Sequence, residues 1–227
     1  MKLLPTKVVL FFTVIFFSSF SAESVIKAQN SVEPTESHYV FPKFLKGTVK
    51  MKNGHRESKV MNYNMITEEM VYDKDGVMMA IDRLGTIDTV YFETRKFVPV
   101  EKVFYEELIK APISLYLQHK NNLIPPGNSV GYGGTSQTAS TTSLTSLTTS
   151  GTIYKLQLPS DYQVSNISQF WIRKEDKLYK ASGERQVLKI FPEKAKEIKE
   201  FISQNKLNVK KTDDLITLVK KCNELSK

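Results

Sequence analysis

From Phe41 onward the chain alternates apolar and polar residues with period two. Val49 and Met51 alternate with Thr48, Lys50 and Lys52, and Met61, Tyr63 and Met65 alternate with Asn62 and Asn64. Between the two runs lies Asn53-Gly54, a dipeptide that accepts the positive φ of a tight hairpin turn. The stretch EEMVYDKDGVMMAID repeats the arrangement, with Asp75-Gly76 at its turn. IDTVYFETRKFVPVEKV is rich in the β-branched and aromatic residues that suit strands. ISLYLQHK sets Ile113, Leu115 and Leu117 on one face, against Ser114, Tyr116 and Gln118. Short strands with regularly spaced turns predict an antiparallel sheet, either a small sandwich or a partly closed barrel. Pro99 and Pro112 donate no ladder bond and belong at edges, bulges or strand starts.

The alternation stops at Pro125-Pro126-Gly127 and gives way to a Gly/Ser/Thr tract over 126–152 without a single charged residue. With Val130, Leu144 and Leu147 as its few aliphatics, such a segment buries too little apolar area to offset the entropy of ordering it. It reads as a mobile tether or, alternatively, a bland edge strand. Alternation resumes in TIYKLQLPSDYQV, where Tyr154, Leu156 and Leu158 share a face, and SQFWIRKEDKLYKAS reads as a hairpin turning near Glu175-Asp176. After Ser182-Gly183 the period changes to that of helices. ERQVLKIF suits a short helix. Pro192 opens a second with Ala195, Ile198, Phe201 and Ile202 on one stripe. Thr212 is a candidate N-cap for a third, striped by Leu215, Leu218, Val219, Cys222 and Leu225.

The fold class is therefore α+β: a mainly antiparallel β module over 38–125, the tract over 126–152, and a module over 153–227 with a hairpin and two or three amphipathic helices. Whether the two modules share one sheet stays open. Ahead of them, residues 1–21 read as a signal peptide. Lys2 and Lys7 precede the apolar run from Val8 to Phe20, which is short for a bilayer-spanning helix, and Ser19 and Ser21 place small residues before a cleavage point. A second cleavage point follows Ala28, and 22–37 form a loose polar arm.

Export changes what the charge means. The formal balance of +8 falls to +6 with the loss of Lys2 and Lys7. Outside the cytoplasm, the polyanions a basic surface meets are acidic glycans and lipid headgroups rather than nucleic acid. Basic and acidic residues are interspersed, however, as solubility alone requires. The single Cys222 excludes an internal disulfide, and its place on an apolar helical stripe reads as core.

Candidate chemistry is sparse. His38, His55 and His119 fall in the arm, beside a hairpin turn and near a strand end, without metal-ligand spacing. The DKDG stretch at Asp73–Gly76 has its Gly two places too early for a calcium loop and reads as a turn. Glu68-Glu69 and Glu106-Glu107 are sequence neighbours, which in a strand point to opposite faces, so neither is a ready acid pair. Tyr63, Tyr72, Tyr91, Phe92, Tyr105, Tyr116, Phe170, Trp171 and Tyr179 read mainly as core, with an aromatic surface for glycan or peptide as the alternative. Asp88-Thr89-Val90 and Asn166-Ile167-Ser168 match short glycosylation patterns. No residue is assigned as catalytic, cofactor-binding or metal-ligating, and no cofactor is implied.

The run GTVKMKNG, MNYN, EEMVY, DTVYFETRKFVPV and FYEEL, then the Ser/Thr tract, then FWIRKEDKLYKA and FPEKAKEIKEFISQNKLNVKKTDDLITLVKKCNEL, resembles small exported proteins of unknown function in Gram-negative bacteria. The resemblance implies an extracytoplasmic β-rich protein and carries over no activity. The expected role is a non-enzymatic binding module of the envelope, periplasmic or secreted, whose partner is an envelope protein or glycan and not nucleic acid. The alternative is a structural or stress-associated protein in peripheral contact with acidic glycans or lipid headgroups. A hydrolase with a spatially assembled site, such as a His beside an acid, is the third reading.

Overall fold

The computed structural model of the chain describes residues 37–126, 128–130, 134–136, 147 and 151–226. Residues 1–21, read above as a signal peptide, nearly all of the 22–37 arm and most of the Gly/Ser/Thr tract lie outside the described residues. β1 (Leu45–Met51) and β2 (Arg56–Asn64) join through a turn with Gly54 at φ 88°. β3 (Glu69–Lys74) and β4 (Val77–Ala80) join at Asp75-Gly76, where φ is 54° and 83° and the Gly76 amide donates to Asp73 Oδ1. β5 (Ile87–Phe92), β6 (Arg95–Val100) and β7 (Val103–Ile109) follow through tight turns at Glu93-Thr94 and Glu101-Lys102, then comes β8 (Ser114–Gln118). Next are β9 (Asn121–Ile124), β10 (Asn128–Val130), β11 (Gly134–Ser136), β12 (Gln163–Asn166), β13 (Gln169–Lys174) and β14 (Lys177–Lys180). The chain ends in α1 (Glu184–Ile190), α2 (Ala195–Gln204) and α3 (Thr212–Leu225).

The fold is the α+β class expected. Ten strands form one antiparallel sheet in the order β14-β13-β8-β7-β6-β5-β1-β2-β3-β4. The sheet curls without closing: the Tyr63 hydroxyl on β2 donates to the Phe104 carbonyl on β7, although three strands separate them in the sheet. β13 pairs with β8, so the segments on either side of the tract share one sheet. β12 pairs with β9 just beyond, which makes β8–β9 and β12–β13 a single long ribbon interrupted at His119-Lys120 and Ile167-Ser168. Within the tract, β10 pairs with β11, and Leu147 is buried.

Two cores form. One is aromatic, with Phe41, Tyr63, Phe92, Phe97 and Phe104 inside the curl. Gly47 makes room for it, since a Cβ there would lie 2.9 Å from both the Phe92 ring and the Tyr91 carbonyl. The other joins Ile113, Leu115 and Ile172 to the helices through Val187, Ile198, Leu215, Leu218, Val219 and Cys222, the stripes the helical period predicts. Asn223 clamps α3 to the strand by exchanging hydrogen bonds with both backbone groups of Ile113. Pro99 lies in an inner strand, yet it costs no ladder bond, because the β5–β6 register ends at Val90↔Phe97 while β6 continues against β7.

Several local expectations are corrected. Residues 152–154 form a single 3-10 turn, not a strand, because the Ile153 carbonyl accepts from the His38 ring and the Asn64 amide instead of a neighbouring strand. Asn62 and Asn64, the polar members of the β2 alternation, are fully buried as well: Asn62 bonds the backbone of Phe41 and Lys43, and Asn64 also accepts from the amides of Ile66 and Thr67. His38, read as part of a loose arm, is buried beside them. Thr212 is the first helical residue rather than the N-cap, which is Lys211, and Asp214 reaches back to accept from the Asn208 amide.

Candidate functional site

Hairpin registers decide which side chains of β6, β7 and β8 meet. Phe97 faces Glu106 and Glu106 faces Leu117, which sets these three on the inner side of the sheet; Glu107 and Tyr116 pair on the outer side. Arg95 and His119 lie two residues from Phe97 and Leu117, and reach Glu106 diagonally. Strand alternation puts His119, two residues beyond Leu117, on the same inner side.

The inner cluster is an ion network. Arg95 Nε and Nη2 donate to Glu106 Oε1 and Oε2 at 2.6 and 2.7 Å, a two-pronged pairing, and His119 Nε2 lies 2.6 Å from Oε2. That short contact places a proton on Nε2, so Arg95 Nη2, 3.1 Å away, is a neighbouring donor and not a hydrogen-bond partner of the ring. Burial alone would raise the Glu106 pKa, but the hydrogen bonds from Arg95 and His119 outweigh it and lower the value from 4.5 to about 2. The walls are aromatic. The guanidinium carbon lies 4.8 Å from the Phe41 ring centre and 5.4 Å from that of Phe97, while the His119 ring is 6.0 Å from Phe97. Among the described residues, the side chains within hydrogen-bonding distance of His119 Nε2 are those of Glu106 and Arg95.

The outer cluster is a strip of aromatic and amide groups on β7, β8 and β13. The Tyr105 and Trp171 rings stack at 6.0 Å with an interplanar angle of 19°. Arg173 lies over Tyr116, its guanidinium carbon 4.8 Å from the ring centre. Trp171 Nε1 donates to Gln118 Oε1 at 2.9 Å, and Gln118 Nε2 donates to Glu68 Oε1 at 2.5 Å. Glu68 sits in the β2–β3 turn at φ 56° and also pairs with Lys120. The curl of the sheet thus carries a turn carboxylate to the far ribbon. Trp171 is half-buried, while Tyr105 and Tyr116 are buried beneath it and Arg173.

The remaining candidates do not converge on these clusters. His38 Nε2 donates to the Ile153 carbonyl, and burial holds its pKa below the usual value. His55 is exposed in the β1–β2 turn. Burial pushes the Cys222 thiol up to about 12, which leaves it inert at neutral pH. Thr89 is buried on an inner strand, so Asp88-Thr89-Val90 offers no accessible hydroxyl. Asn166 is exposed, with its side-chain oxygen accepting from the Ser168 amide. The two Glu doublets diverge: Glu69 accepts from the Tyr154 hydroxyl while Glu68 serves the strip. Of the nine aromatic candidates, Tyr63 and Phe92 are core and Phe170 packs on the helical core; Tyr105, Tyr116 and Trp171 share the strip. No group of three or more His, Cys, Asp or Glu able to hold a metal ion occurs among the described residues.

Sequence reasoning did not associate Arg95 with Glu106, or Glu68 with Trp171. The first was within reach: once Glu101-Lys102 is placed as a two-residue turn, the register puts Glu106 opposite Phe97 and diagonal to Arg95. The second depends on the curl and leaves no local signal. No protein-family model, curated protein or solved structure matches this chain.

Proposed function

We propose that this chain is an exported envelope protein that binds a glycan or an envelope protein without transforming it, and that the strip around Trp171 is its contact surface. The carrying observation is the half-exposed Trp171 stacked on Tyr105, beside the Arg173–Tyr116 pair. Aromatic faces over an ordered platform bury apolar area at little entropic cost, and the Gln118–Glu68–Lys120 chain holds the platform rigid. The resemblance to small exported proteins and the leader over 1–21 support the extracytoplasmic placement.

Trp171 is the only tryptophan in the chain, so its emission reports on this strip alone. Titration with envelope oligosaccharides and, separately, with envelope protein fractions is expected to move that emission saturably with one of the two. Arg173→Ala is expected to weaken the binding about threefold, the value of one exposed charged contact to the ligand. Binding that leaves both the emission and the Arg173→Ala affinity unchanged places the contact elsewhere and overturns the reading. A structural protein held to acidic glycans or headgroups by its basic surface is the alternative, and it predicts binding that collapses with added salt. A hydrolase reading has the His119–Glu106 pair in its favour, but both Glu106 oxygens are already engaged by Arg95 and His119.

A further inference from the structure

We infer that the groove between α1 and α2 is a second contact site, which takes an acidic amphipathic helix of a partner protein. The groove is open to solvent, about 700 Å³ in volume, and its apolar lining, which forms the floor, is the half-buried Leu188 and Ala195 with the exposed Pro192. Arg185 and Lys189 rise from α1 on one side and Lys199 from α2 on the other, with Glu184 at the margin. All three cations are exposed, and none forms an ion pair among the described residues. Two further acids of the same corner are already taken. Glu193 pairs with Lys174 at 3.0 Å and Glu197 with Lys194 at 3.1 Å. Lys174 also donates to the Ile190 carbonyl and lies 5.3 Å from the centre of the Phe191 ring, which pins the α1–α2 corner to β13 and keeps the groove formed without a ligand.

Shape and charge together select the occupant. The walls are cationic and call for negative charge; the floor is apolar and calls for a greasy ridge between the negative groups. A flat bilayer surface would meet the cations and leave the floor uncovered. A helix with apolar residues at i, i+3, i+4 and i+7 and carboxylates flanking them fills both. Arg185 and Lys189 are one helical turn apart, the spacing of carboxylates at i and i+4 on the incoming helix.

The probe is a synthetic peptide of about 18 residues, five helical turns, with a Leu stripe flanked by Glu. It is compared with the same peptide carrying Lys for Glu, and with phosphatidylglycerol vesicles, each titrated against the full-length chain. The Glu peptide is expected to bind saturably at one site. The triple variant Arg185→Glu, Lys189→Glu, Lys199→Glu is expected to weaken it at least about tenfold by setting like charges face to face. Ala195→Trp, which fills the floor and keeps every charge, is expected to weaken it as well. Reversal of the exposed Lys206, Lys210 and Lys220 is expected to leave it unchanged. The inference is overturned if the Glu peptide does not bind, if the Lys peptide binds equally well, or if the Lys206, Lys210 and Lys220 reversal has the same effect. It is also overturned if vesicles bind and the peptide does not. Circular dichroism of each variant confirms that the fold is retained; the groove positions and Lys220 lie on helices, and Lys206 and Lys210 are exposed in the connection between α2 and α3.

Discussion

Replacing Glu106 with Gln removes the one negative charge that both Arg95 and His119 face, and leaves a guanidinium against aromatic walls without its counter-ion. Breaking a buried ion pair from one side costs about 3 kcal/mol. Urea denaturation at pH 7 is expected to show a loss of that order. The pH profile separates this group from others. The folded pKa of Glu106, about 2, is below its ordinary 4.5, so its contribution is complete above about pH 4.5 and is lost as pH falls towards 2. His38 acts in the same direction in a higher window: burial lowers its pKa from 6.5, so its neutral form stabilises above that pH and the benefit declines on acidification below it. The wild-type chain is expected to lose stability in both windows, and Glu106→Gln only in the upper one. A steep loss between pH 4.5 and 2 that persists in Glu106→Gln would show that another carboxylate is responsible. His119 and Glu106 were both visible as candidate types in the sequence. Their partnership was not, because it needs the β7–β8 register, which sets Glu106 opposite Leu117 and carries an irregularity between Glu107 and Ile109 that leaves no mark in local composition.

At the scale of elements, the turns divide by how they are written. Asn53-Gly54 and Asp75-Gly76 declare themselves, since Gly adopts positive φ without steric penalty. The turns at Glu93, Glu101 and Glu175-Asp176 also hold positive φ, between 48° and 59°, in side chains that disfavour it. Strand pairing on either side imposes that backbone; of these turns only the one near Glu175-Asp176 was read from the sequence, and Glu93 and Glu101 gave no turn signal of their own. Glu175 and Asp176 both have positive φ, the requirement of a type I′ turn. Glu175→Asn with Asp176→Gly is therefore expected to stabilise the chain by about 1 kcal/mol and raise the melting temperature by about 2–4 °C in a thermal scan. An unchanged or lower melting temperature would mean that the turn is not the source of strain. The helices were legible from their stripes, because a 3.6-residue apolar period is a local property. The run 153–158 misled for a related reason. Its alternation is real, but strand formation needs a partner, and His38 and Asn64 claim the carbonyl that a partner strand would have used.

At the scale of the molecule, β13 on β8 makes the chain before the tract and the chain after it parts of one hydrogen-bonded sheet. The 3-10 turn at 152–154 adds a second tie, through Tyr39 to the Tyr154 carbonyl and Tyr154 to Glu69. A chain cut at a protease site engineered into residues 137–146 is therefore expected to elute from gel filtration as one species, and to separate into its two pieces only in denaturant. Two independently eluting fragments would show that the ladder between β8 and β13 does not hold the halves together. The same continuity places the strip around Trp171 across strands from both sides of the tract, so the surface exists only when both are folded.

The residue pattern by itself determined what depends on near neighbours: period-two strands, glycine-marked hairpins, the three helical stripes, and the absence of any compact catalytic motif. Tertiary structure alone decided the rest. It set the strand order, the curl that brings Glu68 to Lys120 and Gln118, the inner cluster of Arg95, Glu106 and His119, and the stacking of Tyr105 on Trp171. The physical reason is that these contacts follow from strand register and sheet curvature, which arise when segments far apart in the chain bury a common core, and no window of sequence contains both partners.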